Sequence, residues 1–473
     1  MRNKRFSARC YCSFLALFLL IMVPTLSWAE EQEADSEWYL DAHARSIFEY
    51  NVIQGGLLDG EEDQEFQQFL DLYATRSKAG RTYAVSFFGT YRKNFSDPEP
   101  SSFYYDSLNT MDNSEVLNFY QGYIDAKNPF GPDVLGFRVG RQSFWGADAI
   151  RFDGGRIYLQ DTGFNFLRIN GFVGQYVSIW DDDPPDEVPW GGSIELLMWP
   201  GCRIFSSMIH FLDYTWNVEM RQVVGANFFG EVEYRGINGY SRDLSADAMY
   251  TISPINMTLL GGYYKKFGAD EDEESYDEFL FDYASTDNNA TDYNEYRLQR
   301  LLFTPIAGHS EYSLDLEVGF LANRIVPGVG FMRHQLDDSN DEDYYNADYN
   351  MYRASFDIRD LPFQRFTMVV RWEHTEEDRD IGDEEAVMDN FWAFAGQSFL
   401  RDQLEISASA GLKTYKYNDN SFGGQSFGGE LRYNPCPFAS LAVNYETIIN
   451  ELYEEQLGMD RIDEVTALID LRY

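Results

Sequence analysis

Arginine is the residue type whose placement in this chain most suggests chemistry. Gly136-Phe-Arg138-Val-Gly140-Arg141-Gln142 is followed by Ile150-Arg151-Phe-Asp153-Gly154-Gly155-Arg156, so four guanidinium groups fall between positions 138 and 156. A second group, Arg353, Arg359, Arg365 and Arg371, flanks a turn expected at Asp360-Leu-Pro362. With Arg359 facing Phe363, Arg353, Asp357 and Arg359 share a face with Arg365 and Arg371, and Asp357 falls opposite Arg365 as a charge ladder. Guanidinium stays charged at physiological pH and grips carboxylates in a planar fork. On a pore wall such groups select among permeating ions. Paired to neighbouring carboxylates, they serve equally well as scaffolding.

Other chemistry has little support. Gly424-Gln-Ser426-Phe-Gly428 fits the GxSxG pattern, but that motif needs a strand-to-helix elbow and here lies in a glycine-rich strand. The five histidines, His43, His210, His309, His334 and His374, show no zinc spacing. Asp337-Asp-Ser-Asn-Asp341-Glu-Asp343 offers loose Ca²⁺ ligation without the glycine and terminal glutamate of an EF-hand loop. Beyond the leader only Cys202 and Cys436 remain, beside prolines at separate turns, so pairing is disfavoured though open in an oxidising compartment. No enzyme activity, metal or cofactor is expected.

The elements that must carry the arginines are strands of period two. Leu404, Ile406, Ala408, Ala410 and Leu412 alternate with polar or small residues; Tyr312 to Phe320, Phe366 to Trp372 and Tyr214 to Met220 repeat the pattern. Period two places alternate side chains on opposite faces of a sheet. In a membrane barrel the apolar face meets lipid and the polar face lines the lumen.

The connections favour a barrel over a sandwich. Short turns are expected at 434–437, 400–402, 360–362, 305–310 and 253–254, alternating with longer segments at 55–65, 181–191, 267–292, 335–348, 375–390 and 450–461. Those six hold 38 of the 78 acidic residues. Turns on the periplasmic side and loops outside are the habit of an up-and-down barrel. Counting from about Ala42 predicts an all-β, transmembrane, up-and-down antiparallel barrel of 18 to 22 strands, residues 30–473 forming one domain. Little chain precedes the first strand, which argues against an amino-terminal plug; 267–292 or 94–114 is long enough to fold inward.

Both chain ends fit export. Arg2, Lys4, Arg5 and Arg9 precede an apolar run from Phe14 to Val23, and Ser27 and Ala29 offer a cleavage site before Glu30, so residues 1–29 are expected to be a signal peptide. That run is short of the ~20 residues a membrane-spanning helix needs. Val465, Ala467, Ile469, Leu471 and Tyr473 alternate with Glu464, Thr466, Asp470 and Arg472, resembling the terminal strand by which outer-membrane barrels are taken up by the barrel-assembly machinery.

The Arg-x-Gly-Arg-Gln strand end at Arg138–Gln142, with the Asp153-Gly154 strand start that follows, resembles porin-like barrels of the alginate-export type. That resemblance implies passage of a polyanion along a basic lumen, with Arg138, Arg141, Arg151 and Arg156 as its matching residues. The chain departs from it in its charge of −41. So acidic a chain excludes nucleic acid and anionic headgroups as partners. Its 17% aromatic content sets it apart from disordered acidic chains. The expected function is a passive outer-membrane channel for small or anionic solutes, embedded in lipid and open to assembly with further copies. The alternative is a structural barrel with cation-binding acidic loops, or a sheath around an electron carrier.

Overall fold

A computed structural model describes residues 38–54, 62–78, 80–96, 115–129, 135–159, 166–177, 188–211, 213–267, 308–337, 347–378, 385–417, 420–451 and 461–472. The expected signal peptide, the acidic run 338–343 and most of 267–292 and 94–114 lie outside them. No helix of the described residues is long and apolar enough to cross a membrane, which says nothing of strands.

The strands are β1 (Trp38–Gln54), β2 (Glu62–Lys78), β3 (Arg81–Asn94), β4 (Glu115–Lys127), β5 (Leu135–Trp145), β6 (Ala149–Leu159) and β7 (Leu167–Tyr176). Next come β8 (Trp190–Trp199), β9 (Cys202–Phe211), β10 (Asp213–Val224), β11 (Phe228–Ile237), β12 (Tyr240–Ile252), β13 (Met257–Lys266) and β14 (His309–Val318). The last are β15 (Ile325–Leu336), β16 (Asp348–Arg359), β17 (Phe366–Asp378), β18 (Glu385–Phe399), β19 (Leu404–Tyr417), β20 (Asn420–Cys436), β21 (Ala439–Asn450) and β22 (Arg461–Arg472). Each pairs antiparallel with its chain neighbour, and β1 pairs with β22 from His43↔Arg472 to Gln54↔Arg461. The result is a closed 22-stranded barrel, at the top of the expected range, and its first strand starts at Trp38, ahead of Ala42. Closure leaves no unpaired edge, the condition for strands to cross lipid.

Alternation sorts the two faces as expected. Leu314, Ile406, Leu412, Val443 and Leu471 are each about half exposed on the outside, whereas Asp315, Lys413, Asn444 and Asp470 lie on the other face. With lipid as the outer solvent, those apolar groups need no protein partner.

Strand parity puts every connection leaving an odd-numbered strand at one end, here the loop end. All six acidic segments fall there, and the turns at 253–256, 360–365, 400–403 and 437–438 fall at the opposite end with both chain termini. Two expectations are corrected. Ser310 belongs to β14 on the loop side, so 305–310 closes the long connection after β13 and is not a turn at the other end. The β16–β17 turn runs from Asp360 to Arg365, because Pro362 has no N–H for the ladder; Asp360 N donates to Phe366 O at 2.8 Å and Arg365 N to Asp360 Oδ1 at 2.7 Å. The register moves by four: Arg359 faces Thr367, not Phe363, and Asp357 faces Val369, not Arg365. Cys202 is buried, Cys436 exposed, and both are free thiols.

Candidate functional site

The lumenal wall carries a polar row through hydrogen-bonded neighbours: Asp315↔Gly330↔Arg353↔Glu373↔Asn390↔Lys413. Arg353 reaches over Gly330 to Asp315, Nη2 to Oδ2 at 2.9 Å. A Cβ at Gly330 would overlap Asp315 Oδ1, so the glycine opens the gap in which this pair forms. Arg371, Glu373, Asn390, Lys413 and Ser426 line one depression of this wall. Arg371 makes no ion pair among the described residues, whereas Arg359 is 3.6 Å from Asp357. Arg365 leaves the predicted set: it lies in the turn with φ +63° and points to Asp402 at 3.3 Å.

The first arginine group is organised by a departure from the wall. β4 and β5 pair only as far as Gly122↔Arg141. Gly140 has φ +128°, and a Cβ there would overlap Gly122 O, so only glycine lets the strands approach where they part. Beyond it the β5–β6 hairpin stays paired to itself but leans inward. Phe144 and Phe152 stack on Phe172 at 4.5 and 4.6 Å and, with Ile150 and Ile209, form a buried apolar cluster. The tip is held by polar bonds: Ala147 N donates to Ser207 Oγ at 3.0 Å, and Ser207 Oγ to Asn217 Oδ1 at 2.6 Å. Arg242 of β12 bonds Asp148 Oδ1 at 2.9 Å and Ala147 O at 3.0 Å. The segment seen to fold inward is therefore 146–148, a three-residue tip that length alone did not single out.

Around this hairpin the arginines are engaged. Arg138 pairs with Asp125 at 2.7 Å and lies 3.9 Å over the Tyr123 ring; Tyr158 also donates to Asp125, at 2.5 Å. Arg141 grips Asp153 through Nε at 2.8 Å and Nη2 at 2.7 Å. Arg156 donates to Asn170 at 2.7 Å, and Arg151 stacks over Tyr120 at 4.8 Å. Arg138, Arg141 and Arg156 are thus held by polar partners, and Arg151 by a ring contact nearer the tip. Sequence spacing also missed that His309 and His334 meet, on β14 and β15, with Glu311 beside them.

No protein-family model matches the chain, and no curated protein matches it in sequence. Among solved structures, a BenF-like porin from Pseudomonas fluorescens Pf-5 aligns with TM-score 0.47 and 9% identity over 92% of this chain and 98% of that one. OccD1 (OprD) aligns at 0.45 and 10% identity, over 94% and 97%. The P pilus usher translocation pore aligns at 0.43 and 8% identity, over 91% and 99%.

Proposed function

We propose that this protein is a passive porin-like channel of the outer membrane, narrowed at its loop end by the β5–β6 hairpin and open to small solutes. The observation that carries this reading is the hairpin tip docked against β9 and β12 inside a closed, polar-lined 22-strand barrel. A barrel of this girth encloses far more space than its wall side chains fill, so an inward hairpin restricts the lumen without replacing it. Anionic solutes, including the polyanions implied by the alginate-export resemblance, are the finer reading. Arg371 supports it as a wall cation without a paired carboxylate among the described residues, while the acidic loop end opposes it over a Debye length of only ~8 Å.

Planar-bilayer recording of the purified, folded protein tests the channel. Stepwise conductance is expected. Its absence, in chain shown to be folded, would favour a structural or cation-binding barrel instead.

A further inference from the structure

Two histidines distant in sequence meet at the loop end of β14 and β15. Glu311 lies directly opposite His334, and His309, two residues before Glu311, shares its face. One donor atom from each lies within 4.8 Å of the other two. Both imidazoles are buried and Glu311 is half-buried.

The surroundings fix the rings. His334 Nδ1 lies 3.1 Å from Ala347 O. A carbonyl only accepts, so this bond holds the proton on Nδ1 and leaves the Nε2 lone pair available, the arrangement of a metal-bound imidazole. Tyr349 lies flat on the same ring, 4.8 Å away at 1°. Tyr264 packs 5.6 Å from His309, and the two imidazoles are 4.6 Å apart. Lys266 neighbours His309 in the row, and Asp243 next beyond it is bonded to Arg235 and Arg242.

We propose that His309, Glu311 and His334 bind a borderline divalent ion of the Zn²⁺ class. Two imidazoles and a carboxylate form a zinc donor set that leaves a fourth position for water. Zinc bonds near ~2.1 Å set donors ~3.4 Å apart, so donor atoms now within 4.8 Å of one another draw together by up to about 1.4 Å on binding. The connections after β13 and after β15 are rich in carboxylates, which raises the local cation concentration. Imidazole then selects, since Ca²⁺ and Mg²⁺ prefer oxygen-only shells. The bound ion ties β14 to β15 where both enter long connections.

Calorimetric titration of the full folded chain in detergent with ZnCl₂, in excess CaCl₂ to occupy the acidic segments, tests the site. One Zn²⁺ per chain is expected, weakened at least about tenfold in Glu311→Gln and in His334→Gln. CoCl₂ added to the unaltered chain should give the intense visible bands of four-coordinate Co²⁺, a readout independent of how the variants fold. Zn²⁺ binding abolished by Ca²⁺, binding unchanged in both variants, or only the weak bands of six-coordinate Co²⁺ would each overturn the proposal. None of these readouts needs a conducting pore.

Discussion

Arg242 and Asp148 form an ion pair at 2.9 Å although β6 and β12 are six strands apart around the wall. Their side chains are only 10% and 17% exposed, so this contact is shielded from the screening that weakens surface pairs. It fastens the hairpin tip, while the Phe144, Phe152 and Phe172 cluster packs the two strands just behind it.

Cutting that pair should loosen the constriction. Arg242→Ala removes the guanidinium that Asp148 and the Ala147 carbonyl accept from, a loss of about 3 kcal/mol of docking if the pair behaves as other shielded pairs do. Single-channel conductance is expected to rise, or to flicker between two levels, with the barrel still assembled. Conductance identical to that of the unaltered chain would mean that the hairpin does not limit flow.

The Arg353–Asp315 pair offers a test by shape alone. Gly330→Ala places a methyl group where Asp315 Oδ1 now sits, and the pair must part. Parting frees a carboxylate along with the guanidinium, so the wall's net charge is unchanged and reversal potentials should move only through the new positions of Arg353 and Asp315. No movement would assign Arg353 to structure only.

Arg371 and Arg365 are predicted to behave differently despite six residues of separation in one arginine group. Arg371→Ser removes a wall cation that has no ion-pair partner among the described residues and should shift reversal potentials toward cations. Arg365→Ser alters only a turn contact with Asp402 and should leave them unchanged. Equal effects would place selectivity outside the wall.

Orientation follows from parity. Protease added to intact cells is expected to cut within 267–292 or 335–348 and to spare 434–437. Cleavage confined to the latter would invert the barrel.

Period two made the strands legible, because each lipid-facing residue such as Leu314 or Leu412 must be apolar whatever its neighbours do. Charge made the connections legible, since carboxylates at positions such as Asp270–Glu274 are tolerated in water and not in lipid. Register was harder. It depends on turn geometry, and the six-residue turn at Asp360–Arg365 moved every partner in its hairpin by four while keeping each side chain on its face. The His309–His334 meeting was hidden for a related reason. It requires the turn between β14 and β15, where Leu321, Ala322 and Asn323 take left-handed conformations that their residue types do not announce. The inward hairpin left one trace in the sequence, Gly140, whose positive φ marks where β5 leaves its neighbour.

The β1–β22 seam bears on how the molecule comes into being. His43 and Asp470 touch at 2.9 Å, and Arg45 and Arg472 each lie 3.2 Å from the same carboxylate, yet more than 400 residues of chain separate the two strands. The first strand to be made therefore waits for the last. Until that moment the growing sheet has two raw edges, each able to capture a foreign strand, and the long loop that must close makes this the slowest kind of contact to reach unaided. Birth of the barrel is a race between its own final strand and every other strand within reach.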